Sequence, residues 1–169
     1  MRIRTIRAQD DAVMRRIIRE SLAAFGLNVP GTAYFDPQLN SLSAFYASPG
    51  SEYFVVIDDS GRVVGGAGYA PVDAAADNGE GSAVGVAELQ KLYVSENSRG
   101  SGASYELIRH VAAAAKNDGF TTLYLETHHL LKAAMHVYER EGFQEIDGPL
   151  GNAQHTTMDR FFVKSLVMD

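Results

Sequence analysis

The segment that decides the fold runs Glu88-Leu89-Gln90-Lys91-Leu92-Tyr93-Val94 and continues as Ser95-Glu96-Asn97-Ser98-Arg99-Gly100-Ser101-Gly102-Ala103. The first part reads as a strand and the second as a glycine-bearing loop that opens directly into a helix. The first amides of a helix have no partner inside it. Together with the helix dipole they make a site for an anion, typically a phosphate. Gly100 and Gly102 let the backbone approach such a ligand closely, and Arg99 adds a positive charge. A glycine turn with no ligand is the plain alternative, because Gly-x-Gly before a helix is a weak signal. The segment is not a dinucleotide fingerprint, since Tyr105 stands where the third glycine belongs, and no Gly-Lys-Ser/Thr follows to make a P-loop.

Working outward, the residues over 103–117 place Leu107, Val111 and Ala115 on one helical face, with Gly119 past the end. A strand is expected over 120–126 and a helix over 130–141, closed by Gly142 as a left-handed cap. Strands are expected over 143–146 and 160–167, with a loop from Gly148 to Asn152 between them. Upstream, the alternation Ile3-Arg4-Thr5-Ile6-Arg7 predicts a half-buried strand. Asp10 and Asp11 open an amphipathic helix that ends near Gly26, and Pro30, Gly31 and Pro37 mark a loop. A second helix is expected over 38–47. The residues over 53–57 and 63–69 pair as a hairpin across Asp58-Asp59-Ser60-Gly61. Gly65, Gly66 and Gly68 weaken the second strand and signal a bulge or a close backbone approach. The residues over 73–82 read as a solvated loop, and a strand is expected over 84–94. The order is β-α-α-β-β-β-α-β-α-β-β, an α/β (α+β) pattern that packs as one mixed sheet covered by helices.

The chain has 169 residues, which suits one domain over 1–169. There is no Cys, so disulfides, thiolate metal sites and a Cys nucleophile are excluded. A net charge of −6 disfavours nucleic acid as a partner. No apolar run has the roughly 20 residues of a membrane helix, and no apolar signal-peptide core follows the basic start. A cytoplasmic, membrane-free protein is the expectation. No histidine has a zinc spacing such as His-Glu-x-x-His, so no metal is expected. No Gly-x-Ser-x-Gly elbow is present for a serine hydrolase.

At Asn97-Ser98-Arg99-Gly100-Ser101-Gly102, flanked by Leu92-Tyr93-Val94 and Leu107, the sequence resembles the GCN5-related N-acetyltransferases (GNAT). Their motif at this junction is Gln/Arg-x-x-Gly-x-Gly/Ala. Leu123-Tyr124-Leu125-Glu126-Thr127, followed by Ala134, Tyr138, Gly142 and Phe143, is similar to the family's later strand and helix. The resemblance covers the element order from Ile3 to Val167. Three positions depart from the pattern. Asn97 replaces the usual Gln or Arg, Leu131 stands where many members have an Asn that contacts pantetheine, and Ser104 replaces a common Gly.

The resemblance implies a single mixed, mostly antiparallel sheet with helices on both faces. It implies acetyl-CoA as co-substrate, with pantetheine between two splayed parallel strands. Leu92, Tyr93 and Val94 would line it, and the amides of Arg99, Gly100, Ser101, Gly102, Ala103 and Ser104 would hold the pyrophosphate. The activity implied is that of an acyltransferase: an N-acetyltransferase acting on the amine of a small molecule, an amino acid or related compound, by direct attack in a ternary complex. A non-catalytic acyl-CoA sensor of the same fold is the alternative. Dimers are common in the family, so a homodimer is among the implied partners. Tyr138 matches the tyrosine that serves the leaving thiolate. Glu88 is the candidate base, on a strand whose alternation puts Glu88, Gln90, Leu92 and Val94 on one face unless a bulge intervenes. Tyr34 and Phe35, with Asp36, lie in the loop that forms one wall of the acceptor site. Glu126, His128 (with His129) and His155 complete the candidate substrate contacts.

Overall fold

A computed structural model describes residues 1–72, 85–151 and 155–167. The loop expected over 73–82, position 84 and Asn152 lie outside the described residues. The chain forms β1 (Arg2–Thr5), α1 (Asp11–Ala23), α2 (Leu42–Phe45), β2 (Glu52–Ile57), β3 (Val63–Pro71), β4 (Val86–Val94), α3 (Ala103–Asn117), β5 (Thr122–Thr127), α4 (Lys132–Arg140), β6 (Gln144–Ile146) and β7 (Arg160–Ser165). This is the expected order. The strands make one seven-stranded sheet, β1-β2-β3-β4-β5-β7-β6. Among the described residues only β4 and β5 are parallel; every other neighbour pair is antiparallel.

One expected element is corrected. The segment over 38–47 is not one helix but a 3-10 turn at Pro37–Asn40 followed by the single turn α2. Pro37 starts the first piece, and Ser41, with φ −155° and ψ 55°, leaves helical backbone before α2 begins. The apolar spacing survives this break, because Leu39, Leu42 and Tyr46 are all buried.

Helices cover both faces. On one, the stripe Ala103, Leu107, Ile108, Val111 and Ala115 of α3 packs on Ala87, Leu89, Leu123 and Leu125, together with Tyr138 of α4. On the other, Met14, Ile17, Ile18 and Leu22 of α1 pack on Tyr53, Val55 and Ile57. Burying each of the larger apolar side chains contributes about 1.5–3 kcal/mol relative to leaving it exposed.

Strand β4 runs between the two clusters and is irregular. Gly66 pairs with Tyr93 and Gly68 with Gln90, so β4 carries one extra residue there. Lys91 takes φ 51°, left-handed for a non-glycine residue. The glycines opposite explain how this is held. A Cβ at Gly66 would lie 2.6 Å from the Tyr53 ring, and one at Gly68 would lie 2.5 Å from it. The bare backbone admits that ring, and the Tyr53 hydroxyl donates to the Lys91 carbonyl at 2.7 Å. The signal carried by Gly65, Gly66 and Gly68 thus marks both a bulge and a close approach.

Candidate functional site

The bulge changes which side chains share a face. Leu89, Leu92 and Val94 pack with the α3 cluster, whereas Tyr93 packs with the α1 cluster. Glu88, Gln90 and Lys91 line a cavity of about 170 Å³. The expectation that Glu88, Gln90, Leu92 and Val94 share one face is therefore corrected. Strict alternation holds on each side of Lys91, but the extra residue shifts the register by one, and a shift of one flips every later side chain.

The bulge lies beside a parting of the strands. β4 pairs with β5 only at Val86–Thr122, Ala87–Leu123 and Glu88–Tyr124, although β4 continues to Val94 and β5 to Thr127. A gap therefore opens after Glu88, and among the described residues the main-chain groups of β4 that face it have no strand partner. Past Val94 the chain makes a 3-10 turn, Glu96–Ser98, and then the loop to α3. Gly100 and Gly102 have φ 77° and 85°, and an added Cβ at either would meet nothing within 4 Å. Gly102 is the N-cap and offers no side-chain cap. The first backbone bond of the helix is donated by Glu106 to the Gly102 carbonyl. The amides of Ala103, Ser104 and Tyr105 precede that bond, and Arg99 is exposed beside them. Ser101 Oγ ties the loop by donating to the Ser98 carbonyl at 2.6 Å. An open groove of about 700 Å³, lined by Ser101, Gly102, Tyr105 and Arg109, adjoins this helix start. Free amides, left-handed glycines and an exposed Arg fit a diphosphate.

The cavity on the other side is lined by side chains. Gln90 Nε2 donates to Glu88 Oε2 at 2.8 Å, and the Tyr46 hydroxyl donates to Gln90 Oε1 at 2.7 Å. Burial pushes the Glu88 carboxyl above the usual range; the Gln90 hydrogen bond opposes this, and the charge of Glu126 adds to it. Burial also raises Glu126, against the hydrogen bond it accepts from Tyr124 at 2.9 Å. Lys91 Nζ lies 3.0 Å from Asp36 Oδ2, and His155 Nε2 lies 2.9 Å from the same oxygen. Burial opposes the charge on Asp36, but His155 and Lys91 together outweigh it and hold the carboxyl below its usual range. Tyr138 is buried within the α3 cluster, edge-on to Phe143 with ring centroids 5.8 Å apart. Burial pushes its phenol above its ordinary value, so it is a protonated donor at neutral pH.

Of the expected acceptor residues, Glu88 and His155 line the cavity. Glu126 stands on the neighbouring strand, close enough for its charge to act on Glu88. Tyr34 packs in the α1 cluster beneath the Arg19 guanidinium, 5.4 Å from the ring centroid, and Phe35 is exposed. His128 is buried and accepts from the Leu130 amide at 3.2 Å. Its ring lies 4.3 Å from that of His129, whose Nδ1 pairs with Asp159 Oδ2 at 2.5 Å. These three residues bring potential ligand atoms within 4.8 Å of one another. Leu131 is the N-cap of α4 and packs against the α1 cluster.

Sequence reasoning does not reach Gln38, Tyr46 or Lys91 as site residues. Gln38 and Tyr46 sit in the broken segment before β2, and nothing local says which strand they face. Lys91 carried a signal, a third polar residue beside Glu88 and Gln90 in β4, opposite Gly66-Ala67-Gly68.

The model of the acetyltransferase (GNAT) family matches residues 16–143. The chain belongs to the GNAT family. It is 36% identical over 165 residues to the uncharacterized N-acetyltransferase YjgM of Escherichia coli (strain K12), covering 97% of this chain and 94% of that protein. Among solved structures, a GNAT acetyltransferase from Staphylococcus aureus Mu50 superposes with a TM-score of 0.83 at 19% identity, over 98% of this chain and 99% of that one. A phosphinothricin acetyltransferase from Sinorhizobium meliloti, solved in complex with acetyl-CoA, gives a TM-score of 0.72 at 19% identity, over 97% of this chain and 87% of that one. The expected fold, one mixed sheet with helices, is the GNAT fold, and the expected enzyme class, acyltransferase, is that of the family. Among the described residues no helix is long and apolar enough to cross a membrane.

Proposed function

We propose that this chain moves an acetyl group from acetyl-CoA to the amine of a small molecule, an amino acid or related compound, by direct attack in a ternary complex. The observation that carries this reading is the gap between β4 and β5. It opens after Glu88, with the free amides of α3 at one end and the polar cavity on the other face of β4. In this reading, the amides of Arg99 to Ser104 hold the pyrophosphate. Main-chain groups of Leu92, Tyr93 and Val94 pair with the pantetheine arm as an added strand would.

Glu88 takes a proton from the acceptor ammonium, directly or through water, because only the neutral amine attacks. Its raised carboxyl suits a base that works near neutral pH. The amine nitrogen bonds to the thioester carbonyl carbon, and amides near Leu92 donate to the oxyanion that forms. The carbon–sulfur bond then breaks, the Tyr138 phenol gives its proton to the departing thiolate, and the nitrogen of the new amide loses its second proton through water, which restores the phenol. His155, lining the cavity, faces the acceptor, and Glu126 stands behind Glu88. Tyr34, Phe35 and His128 border the site rather than line the cavity. In this reading the steps use no metal and run in the cytoplasm.

The first test is the melting temperature with acetyl-CoA, with ATP and NADH as controls. A ligand at 100 times its Kd adds about 2.7 kcal/mol, a rise on the order of 5–11 °C for a chain of this size. A rise with acetyl-CoA alone, followed by amine-dependent release of CoA, is the expected result. No rise at millimolar acetyl-CoA overturns the reading. A rise with no release for any amine leaves only an acyl-CoA sensor.

A further inference from the structure

Gln38 lies in the turn Pro37–Asn40 and lines the cavity in front of β4. Its Oε1 is buried and, among the described residues, accepts no hydrogen bond. An unpaired buried acceptor opposes folding, and a native protein that keeps one has a reason to. In the same cavity, Glu88 uses Oε2 to accept from Gln90. Among the described residues its other oxygen accepts no hydrogen bond, which leaves it for a donor from the acceptor molecule. Lys91 adds the opposite need. Its side chain is 4% exposed, and its ammonium is paired with Asp36. An ammonium has three donors, and that contact uses one. Asp36 is shared with His155, so a single carboxylate serves two cationic side chains whenever His155 is protonated.

Among the described residues the cavity thus holds unmet acceptors at Gln38 and Glu88 and unmet donors at Lys91. A simple alkylamine satisfies only the acceptors, and a carboxylic acid only the donors. A molecule with both an ammonium and a carboxylate satisfies both. At about 170 Å³ the space is below the roughly 300–1,000 Å³ of pockets for drug-sized ligands, which restricts the occupant to few non-hydrogen atoms.

We propose that the acceptor is a small free amino acid, with its amine received by Gln38 Oε1 and Glu88 and its carboxylate received by Lys91. This rests on the acetyl-transfer reading and assigns Gln38 and Lys91 as its specificity determinants. Gln38 selects for the donor that fills its orphan oxygen, and Lys91 selects for the charge that a decarboxylated amine lacks.

The test is calorimetric titration of the full chain, with CoA present, by each of the twenty protein L-amino acids. The α-carboxamide of every amino acid that binds is then titrated, since it keeps the amine and loses the carboxylate charge. At least one small amino acid is expected to bind, with its carboxamide weaker by roughly tenfold or more, the loss of one charge-assisted hydrogen bond. Gln38→Leu is expected to weaken binding by a similar factor and to raise the melting temperature of the ligand-free protein, because it removes an unpaired polar atom. A merely structural Gln38 predicts the reverse: a lower melting temperature and unchanged affinity. Lys91→Met is expected to bring acid and carboxamide to equal affinity. The proposal is overturned if no amino acid binds, if the carboxamides bind as tightly as the acids, or if Gln38→Leu leaves affinity unchanged. Acetylation of amines without preference for a carboxylate sinks this inference and leaves acetyl transfer standing, whereas failure of acetyl-CoA to bind removes the transfer reading itself.

Discussion

The loop at Arg99–Gly102 and the cavity at Glu88–Lys91 are reached from the same strand, yet they are made of different material. The loop presents main chain: two left-handed glycines and the first amides of α3, beside an exposed Arg. The cavity presents side chains drawn from the turn at Pro37–Asn40, from Phe45, from β3 and β4 and from His155, with the Tyr46 hydroxyl bonded to Gln90. Main-chain amides carry fixed dipoles and need no charge of their own, so a ligand site of that kind puts little strain on the fold. Buried carboxylates and a buried Lys must be paired, or their charge is expensive. The Asp36–Lys91–His155 group and the Tyr46–Gln90–Glu88 chain are that pairing. In the proposed function the first region takes the diphosphate of acetyl-CoA, and the second discriminates between acceptors.

This contrast yields graded predictions. Glu88→Gln is expected to lower kcat by about 10²–10⁴-fold, the range for a lost general base, while acetyl-CoA affinity by calorimetry stays unchanged. A fall in both would dissolve the separation of the two regions. Asp36→Asn leaves Lys91 buried without its partner and is expected to cost about 3 kcal/mol, read as a fall in melting temperature at pH 7. Asp36 is held below its usual range, so its contribution is full above the ordinary carboxylate pKa and lost as pH falls through the folded value. The gap between wild type and Asp36→Asn should therefore close in acid below about pH 4.

Tyr138→Phe is expected to slow turnover by roughly 10²-fold with acetyl-CoA affinity intact. An unchanged rate would leave Tyr138 as a packing residue of the α3 cluster. Gly102→Val is the mirror experiment. A Cβ there meets nothing within 4 Å, but φ 85° is unfavourable for it. It also blocks the amides, so the Kd for acetyl-CoA is expected to rise about tenfold, the worth of one charge-assisted hydrogen bond. The smallest effect concerns stability. The folded Glu88 carboxyl is raised, so ionising it opposes the fold, and the penalty appears as pH rises through the folded value. Glu88→Gln should accordingly melt above wild type near pH 8 and equal it below about pH 4. A lower melting temperature at both pH values would mean that the Gln90 hydrogen bond, not burial, dominates at Glu88.

What each region shows to the eye in sequence follows from the same difference. The helix start was legible because Gly100, Gly102, Ala103 and Leu107 are neighbours in the chain and act through local backbone geometry. Glu88 and His155 were legible only as candidates from the family resemblance. Gln38, Tyr46 and Lys91 stayed hidden because their roles depend on contacts 44 to 55 residues apart, such as Tyr46 with Gln90 and Lys91 with Asp36. The face of Leu92 and Val94 was misassigned by alternation because one extra residue at Lys91 reverses it.

The sequence by itself determined the element order, the helix faces, the glycine-capped start of α3 and the family motif. These are properties of short windows, where periodicity and backbone freedom decide the outcome. Only the tertiary structure decided that β4 bulges at Lys91, that β4 and β5 part after Glu88, and that Gln38 faces the same cavity as Glu88 and Lys91. Those outcomes are set by the Tyr53 ring against two glycines of β3 and by charges that must find partners across the sheet. No local pattern encodes such long-range packing and pairing.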